Sequence, residues 1–301
     1  MRDEVVVHAP AKINLQLGVG PVRKDGFHPL ATVYQAIGVY DEIIARPAKK
    51  NQLSVVGDGV DVSDVPTDES NLVLKAAALL AARHGLDEAV EVVILKRIPV
   101  AGGMAGGSAD AAGALVALDA LWETHTPRDE LLAIAAQLGS DVPFCLVGGT
   151  AIGSGRGEVV TPAMTRGHYW WVVALAEDGL STAEVYAEFD RMHDGMVADP
   201  LRSADELMSA LRSGDVEKLG LALSNDLEAP ALRLRPELQA VLTGGLEHSA
   251  YAAMVSGSGP TCLFLAESET HASQVQAGLD SAGVTTVLYA PGPVSGARVV
   301  R

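Results

Sequence analysis

The stretch "PVAGGMAGGSADAAGAL", Pro99 to Leu115, decides how this chain is read. Its first eleven residues hold four glycines and three alanines. Glycine loses more backbone entropy on folding than any other residue, so such a run is costly unless the backbone must approach something closely. Upstream, "VEVVILKRI" reads as a strand. Downstream, Ala111, Leu115, Leu118 and Trp122 step by four, three and four, the spacing of an amphipathic helix. A glycine loop that leads from a strand into a helix start offers an anion unpaired N–H groups and a partial positive charge. Each hydrogen bond to a charged group contributes about 1.5–3 kcal/mol, and ordering one loop residue costs about 1–2 kcal/mol. Three or four phosphate contacts therefore offset the ordering of the loop. The loop is neither a P-loop, because Ala109 follows Ser108 where no lysine precedes it, nor a dinucleotide GxGxxG. Local physics leaves one alternative, a flexible turn whose helix is capped by Ser108 or Asp110.

Outward from the loop, strands come first. "EVVVHA", "INLQLGV", "LATVYQAIGVYDEIIARP" and "QLSVV" are β-like, and Thr67-Asp68-Glu69-Ser70 caps a helix to about Arg83. After the loop's own helix, Pro127 opens another over about 128–138, followed by the loop "GSDVPF" and the hairpin-like "CLVGGTAIGSGRGE". A polar connection over Thr161–Gly167 marks a domain boundary, giving domains of 1–160 and 161–301. Beyond it come strand "HYWWVVALA", a helix from Ser181 to about Met192, and polar helices over roughly 203–245. Strands "YAAMVSG" and "CLFLAE" follow, then a helix over about 270–283 and strands "TTVLYA" and "ARVV". This mixed order predicts an α+β fold with helices on one face of its sheets.

The bulk properties exclude whole classes. Length 301 suits two cores, and 48% hydrophobic with 20% charged residues is ordinary for a folded protein. A net charge of −16 argues against a nucleic-acid or anionic-membrane binder, which needs a basic surface. No run approaches the roughly 20 apolar residues of a membrane span, and "MRDEVVVHAPAKINL" has no continuous apolar leader. The two cysteines and eight histidines show no metal-ligand spacing, so cytosolic thiols and a cytoplasmic protein are expected.

Three motifs in order carry a resemblance. The pattern P-x-x-G-G-x-x-G-G-S-A-D-A resembles the second motif of the GHMP kinases, named for galactose, homoserine, mevalonate and phosphomevalonate. "PAKINLQLGV" (Pro10 to Val19) resembles that family's N-terminal motif, and "VSGSGPTC" (Val255 to Cys262) its C-terminal glycine motif. Within the family, "KDGFHPLATVYQAI" and "LGSDVPFCLVGGTAIGSGRGE" resemble one branch. Its members use ATP to phosphorylate the 2-hydroxyl of 4-diphosphocytidyl-2-C-methyl-D-erythritol in the non-mevalonate isoprenoid pathway. Phe27 stands where that branch usually has Tyr, and Ala101 and Ala105 where Gly is common.

The resemblance implies two domains, the second ferredoxin-like, with the site between them, and it implies roles for named residues. Asp141 would accept or orient the substrate hydroxyl, with Lys12 beside it holding it ionised and neutralising the transferring phosphoryl. Asn14, two residues from Lys12 on the same strand face, would hydrogen-bond the substrate diol or Asp141. Phe27 and His28 would recognise cytosine, with Tyr186 on its other side. Gly102, Gly103, Gly106, Gly107 and Ser108 would hold the triphosphate, while Asn71 and Lys96 would lie near adenine and ribose. Mg²⁺ is implied by ATP chemistry, with unassigned ligands. The expected partner is a small molecule with a cytidine diphosphate moiety, and the chain itself would be a monomer or homodimer. Two other readings remain: a GHMP kinase for another alcohol, which would have no base for Phe27 to stack on, and a nucleotide-binding protein without turnover.

Overall fold

The computed structural model describes residues 3–24, 26–100, 102–176, 179–194 and 201–301; Ala101 lies outside them. The chain opens with two long antiparallel strands, β1 (Val5–Val19) and β2 (Leu30–Ala48). In β1 the odd residues Val5, Val7, Ala9, Ala11, Ile13 and Leu15 enter the hydrophobic core, which leaves Lys12, Asn14 and Gln16 on the opposite face. The pairing with β2 slips between Pro10 and Ala11 and again between Asn14 and Gln16. Such irregularities bend a strand and re-aim its side chains. Lys12 and Asn14 sit on the short segment between the two slips.

Next come β3 (Gln52–Gly57), α1 (Leu72–His84), β4 (Ala89–Lys96), α2 (Gly106–Leu121), α3 (Arg128–Leu138), α4 (Val142–Val147), β5 (Thr150–Ser154) and β6 (Val159–Pro162). The sheet runs β4 along residues 42–48 of β2 and β5 along residues 32–35, so one long strand serves two neighbours. Helix α2 was expected to be amphipathic, but it is buried nearly all round. A Cβ at its Gly113 would stand 2.6 Å from Ile43 Cγ1 and 3.1 Å from Ala9 Cβ, so the helix lies directly on β1 and β2. The cap of α1 is Asn71 rather than the preceding Thr-Asp-Glu-Ser run; its side chain accepts from Val73 N and donates to the Pro66 carbonyl. The "GSDVPF" stretch, expected to be a loop, contains the start of α4.

The second half contributes β7 (Tyr169–Leu175), α5 (Thr182–His193), α6 (Asp205–Ser213), α7 (Val216–Ala222), β8 (Ser224–Asn225), α8 (Glu228–Leu234), α9 (Leu238–Glu247), β9 (Ala252–Val255), β10 (Cys262–Ala266), α10 (Glu269–Ser281), β11 (Thr286–Gly292) and β12 (Arg298–Val299). Its antiparallel sheet has the order β11-β7-β10-β9, the arrangement of a split β-α-β unit. Helices cover both faces of this sheet, not one. Val172, Phe264 and Ala266 pack with α9 and α10, while Trp171, Leu263 and Leu265 share a core with Leu219 of α7. The halves interlock. β8 pairs with β1 at Gln16 and Leu17, β12 pairs with it at Val7 and His8, and Trp171 Nε1 donates to Gln35 Oε1 at 2.8 Å.

Candidate active site

The three glycine-bearing motifs meet at one place. Lys12 N donates to the Met104 carbonyl at 3.2 Å, tying β1 to the loop before α2. From the other side, Thr261 Oγ1 donates to the Gly102 carbonyl at 2.5 Å. Gly103 has φ +70°, and a Cβ on it would lie 3.0 Å from the Ser256 carbonyl oxygen, so both backbone and contact require glycine there. Asn225 Nδ2 donates to the carbonyls of Val255 and Gly257 at 2.8 and 2.7 Å, fixing the C-terminal glycine turn. Around this junction lies a cleft of about 510 Å³, bordered by Lys12, Asn14, Asp141 and Tyr186 as well as the glycine loop and Ser258.

At the start of α2 the cap position is Ala105, in the left-handed region at φ 58°, with no side-chain cap and no acidic residue in the first turn. The capping alternative for Ser108 and Asp110 therefore does not apply. Gly106, Gly107 and Ser108 present the open, positive end of the helix to the cleft. A Cβ on Gly107 would meet no protein atom within 4 Å, so the space above it is free for a ligand.

Across the cleft, Lys12 Nζ lies 3.4 Å from Asp141 Oδ2 and donates to Asn14 Oδ1 at 2.9 Å. Asn14 Nδ2 donates to Thr32 Oγ1 at 2.8 Å, and that hydroxyl donates to the Gln16 carbonyl at 2.7 Å. The chain of donors fixes the Asn14 amide with its oxygen toward Lys12. Tyr34 OH donates to Asp141 Oδ1 at 3.2 Å. Burial first, and then the Asp141 carboxylate, push the Tyr34 phenol well above its usual range, so it stays a donor. The same two causes push Tyr186 up to about 12. Tyr34 went unnoticed in the sequence, although Thr32 and Tyr34 are polar positions two apart on a strand facing Asn14. The register supplies what spacing could not: Tyr34 is the partner of Asn14.

The expected base-recognition residues differ in exposure and in partners. His28 is buried, donates from Nδ1 to the Gly20 carbonyl at 2.7 Å, and packs its ring against that of Tyr186, centroids 5.0 Å apart and planes tilted by 38°. A carbonyl only accepts, so Nδ1 carries the proton and Nε2 faces Asp190 Oδ2, 3.6 Å away. Phe27 is half exposed, and the Arg156 guanidinium covers its ring at 4.6 Å from the centroid. Asn71 and Lys96 border a second cleft of about 240 Å³ that shares Gly106 and Gly107 with the first. The Lys96 ammonium is fully buried on Asp41 (2.6 Å) and Asp110 (2.8 Å). Asp41 also accepts from the backbone N–H groups of Arg97 and Ile98. Burial lowers the Lys96 pKa, and the two carboxylates more than reverse it. Burial holds Asp110 well above the usual carboxylate range despite Lys96, and its Oδ1 has no partner.

Comparison with known proteins supplies the family. The model described as GHMP kinases N terminal domain matches residues 71–149, and the one described as GHMP kinases C terminal matches 207–285. The 4-diphosphocytidyl-2-C-methyl-D-erythritol kinase of Nocardioides sp. is 56% identical over 98% of this chain and 99% of its own length. The chain belongs to the GHMP kinase family. The enzyme of the same name from Nocardia farcinica is 53% identical to this GHMP kinase over 98% of the chain and 96% of its own length. A crystal structure of 4-(cytidine 5'-diphospho)-2C-methyl-D-erythritol kinase superposes with a TM-score of 0.79 at 31% identity, covering 95% of this chain and 98% of that one. Homoserine kinase from Cytophaga hutchinsonii shares the fold at 18% identity and a TM-score of 0.73, over 100% of this chain and 98% of that one. Among the described residues, no helix of this GHMP kinase is long and apolar enough to cross a membrane.

Proposed function

We propose that this GHMP kinase transfers the γ-phosphoryl group of ATP to the 2-hydroxyl of 4-diphosphocytidyl-2-C-methyl-D-erythritol, a step of the non-mevalonate route to isoprenoid precursors. One observation carries the chemistry: the Lys12–Asp141 pair faces the open first turn of α2 across a single cleft. Phosphoryl transfer asks a protein for positioning and charge stabilisation, and this arrangement offers both. The N–H groups of Gly106, Gly107 and Ser108 bind the phosphates, helped by the close approach at Gly102 and Gly103. Asp141 takes or orients the acceptor proton, Tyr34 holds the carboxylate in place, and Lys12 stands over the oxygen that attacks. Asn14 anchors Lys12 and offers its amide to the substrate diol. His28 and Tyr186, already paired, take the cytosine together with Phe27. The second cleft, with Asn71 at its mouth and Lys96 beneath it, receives adenosine.

Mg²⁺, when bound, neutralises charge on the transferring phosphates. Among the described residues no three His, Cys, Asp or Glu side chains converge. Ser108 and Asp141, which border the cleft, suit an ion that arrives on the nucleotide and keeps most of its ligands as phosphate and water. We place the protein in the cytoplasm, with two domains parting near residue 160, acting as a monomer or homodimer.

The test is ADP release from Mg-ATP with 4-diphosphocytidyl-2-C-methyl-D-erythritol beside mevalonate, homoserine and galactose. Turnover with the cytidyl compound alone is expected. Turnover with another alcohol would keep the Lys12–Asp141 chemistry and overturn the base recognition. Binding of ATP with silence toward all four would overturn the reading as an enzyme.

Gly107→Ala separates ligand contact from folding. Its Cβ meets no protein atom, and alanine in a helix is better than glycine by about 0.5–1 kcal/mol. Thermal unfolding should rise slightly while KM for ATP rises about tenfold, roughly 1.4 kcal/mol of lost binding. An unchanged KM would remove Gly107 from the phosphate site.

A further inference from the structure

The charged residues that border the main cleft are Lys12, Asp141 and Arg156. Lys12 is matched by Asp141. Among the described residues the Arg156 guanidinium forms no ion pair; it lies on the Phe27 ring face, 4.6 Å from the centroid. The cleft of a protein with net charge −16 therefore keeps one cation in surplus.

Its place in the turn between β5 and β6 is built, not incidental. Arg156 N donates to Glu158 Oε2, closing the turn on itself. The next residue, Gly157, has φ +105°, and a Cβ there would lie 2.3 Å from the Tyr34 hydroxyl. That hydroxyl is the one that holds Asp141. The turn that carries Arg156 thus touches both the aromatic expected to stack on the base and the hydroxyl that holds the carboxylate expected to meet the reacting hydroxyl. In a substrate with a base at one end and the acceptor hydroxyl at the other, the part lying between them is the diphosphate.

We propose that Arg156 is a specificity residue that binds the diphosphate of the acceptor substrate, an inference that rests on the cytidyl reading above. In the free site its guanidinium covers Phe27. A base arriving on that ring displaces the guanidinium, which turns to the adjacent diphosphate and pairs with it through its planar fork. Lysine retains the charge but loses the ring contact and the fork, so Arg156→Lys should recover only part of the function.

Arg156 is exposed on a turn, so Arg156→Met should fold as the parent does. Its KM for the cytidyl substrate should rise about 10- to 100-fold, the loss of a charge-assisted pair, with KM for ATP and kcat within about twofold. Binding gives a readout apart from turnover. With the ATP site filled by a non-hydrolysable analogue, the parent should bind cytidine 5′-diphosphate at least about tenfold tighter than cytidine by calorimetry. In Arg156→Met the two should bind alike. A variant that keeps the diphosphate preference overturns the proposal, as does one in which KM for ATP rises instead; either leaves the cytidyl reading standing. A parent that binds neither cytidine compound overturns that reading and the proposal with it.

Discussion

Asp141→Asn lowers kcat by about 10²- to 10⁴-fold, the range for loss of a positioned proton acceptor, and leaves KM for ATP within about threefold. The split follows from the geometry. Asp141 lies between Lys12 Nζ at 3.4 Å and Tyr34 OH at 3.2 Å, whereas the phosphate site proposed above is the start of α2, across the cleft. Asparagine keeps an oxygen for Tyr34 and loses the charge that faces Lys12, so geometry survives while proton acceptance does not. Steady-state kinetics with both substrates varied provides the check. Full activity in the variant removes Asp141 from the chemistry. An equal rise in both KM values makes it a structural residue of the cleft.

Lys96→Met destabilises the fold by about 3–5 kcal/mol, because it removes the cation from a fully buried cluster and leaves two carboxylates facing each other. The loss depends on pH. Asp41 accepts two backbone N–H groups while the Asp110 Oδ1 has no partner, and the carboxyl that burial raises is that of Asp110. Its folded pKa is raised by burial, so its contribution to stability is complete below the ordinary carboxylate pKa and fades as pH rises through the folded value. Removing Lys96 raises that value further. Lys96 itself titrates above its usual 10.5 and adds no slope between pH 5 and 8. Urea unfolding should therefore show a larger difference between variant and parent at pH 7.5 than at pH 5. Adding Asp110→Asn to Lys96→Met should recover part of the loss at pH 7.5. If Lys96→Met is as stable as the parent but binds ATP poorly, Lys96 is a nucleotide contact and not a support of the loop. A Cβ on Gly106 would lie 2.9 Å from this ammonium, so the cluster sits directly under the glycine loop.

The local layer was legible in the residues. The β-like runs "EVVVHA" and "INLQLGV" and the glycine run before Ala109 gave strand, loop and helix in the right order, although the two runs form one strand, β1. Pro127 marked the start of α3, because a proline at a helix start loses no hydrogen bond. Where reading failed locally, a tertiary force won. Helix α2 departs from its amphipathic pattern because two layers of the molecule enclose it, and α4 forms where Val142, Phe144 and Cys145 are buried against the first half's core.

By itself, then, the sequence determined most of the elements, the glycine loop before α2 and the face shared by Lys12 and Asn14, because those depend on spacings of two to four residues. The tertiary structure alone decided which distant residues meet. It set Tyr34 opposite Asn14 through a strand register with two slips, and Asp41 and Asp110 on one ammonium. It also placed Asn225 on the C-terminal glycine turn and Arg156 on Phe27. No local period encodes such pairs: they exist only once the sheet register and the closure of the two halves have set the distances.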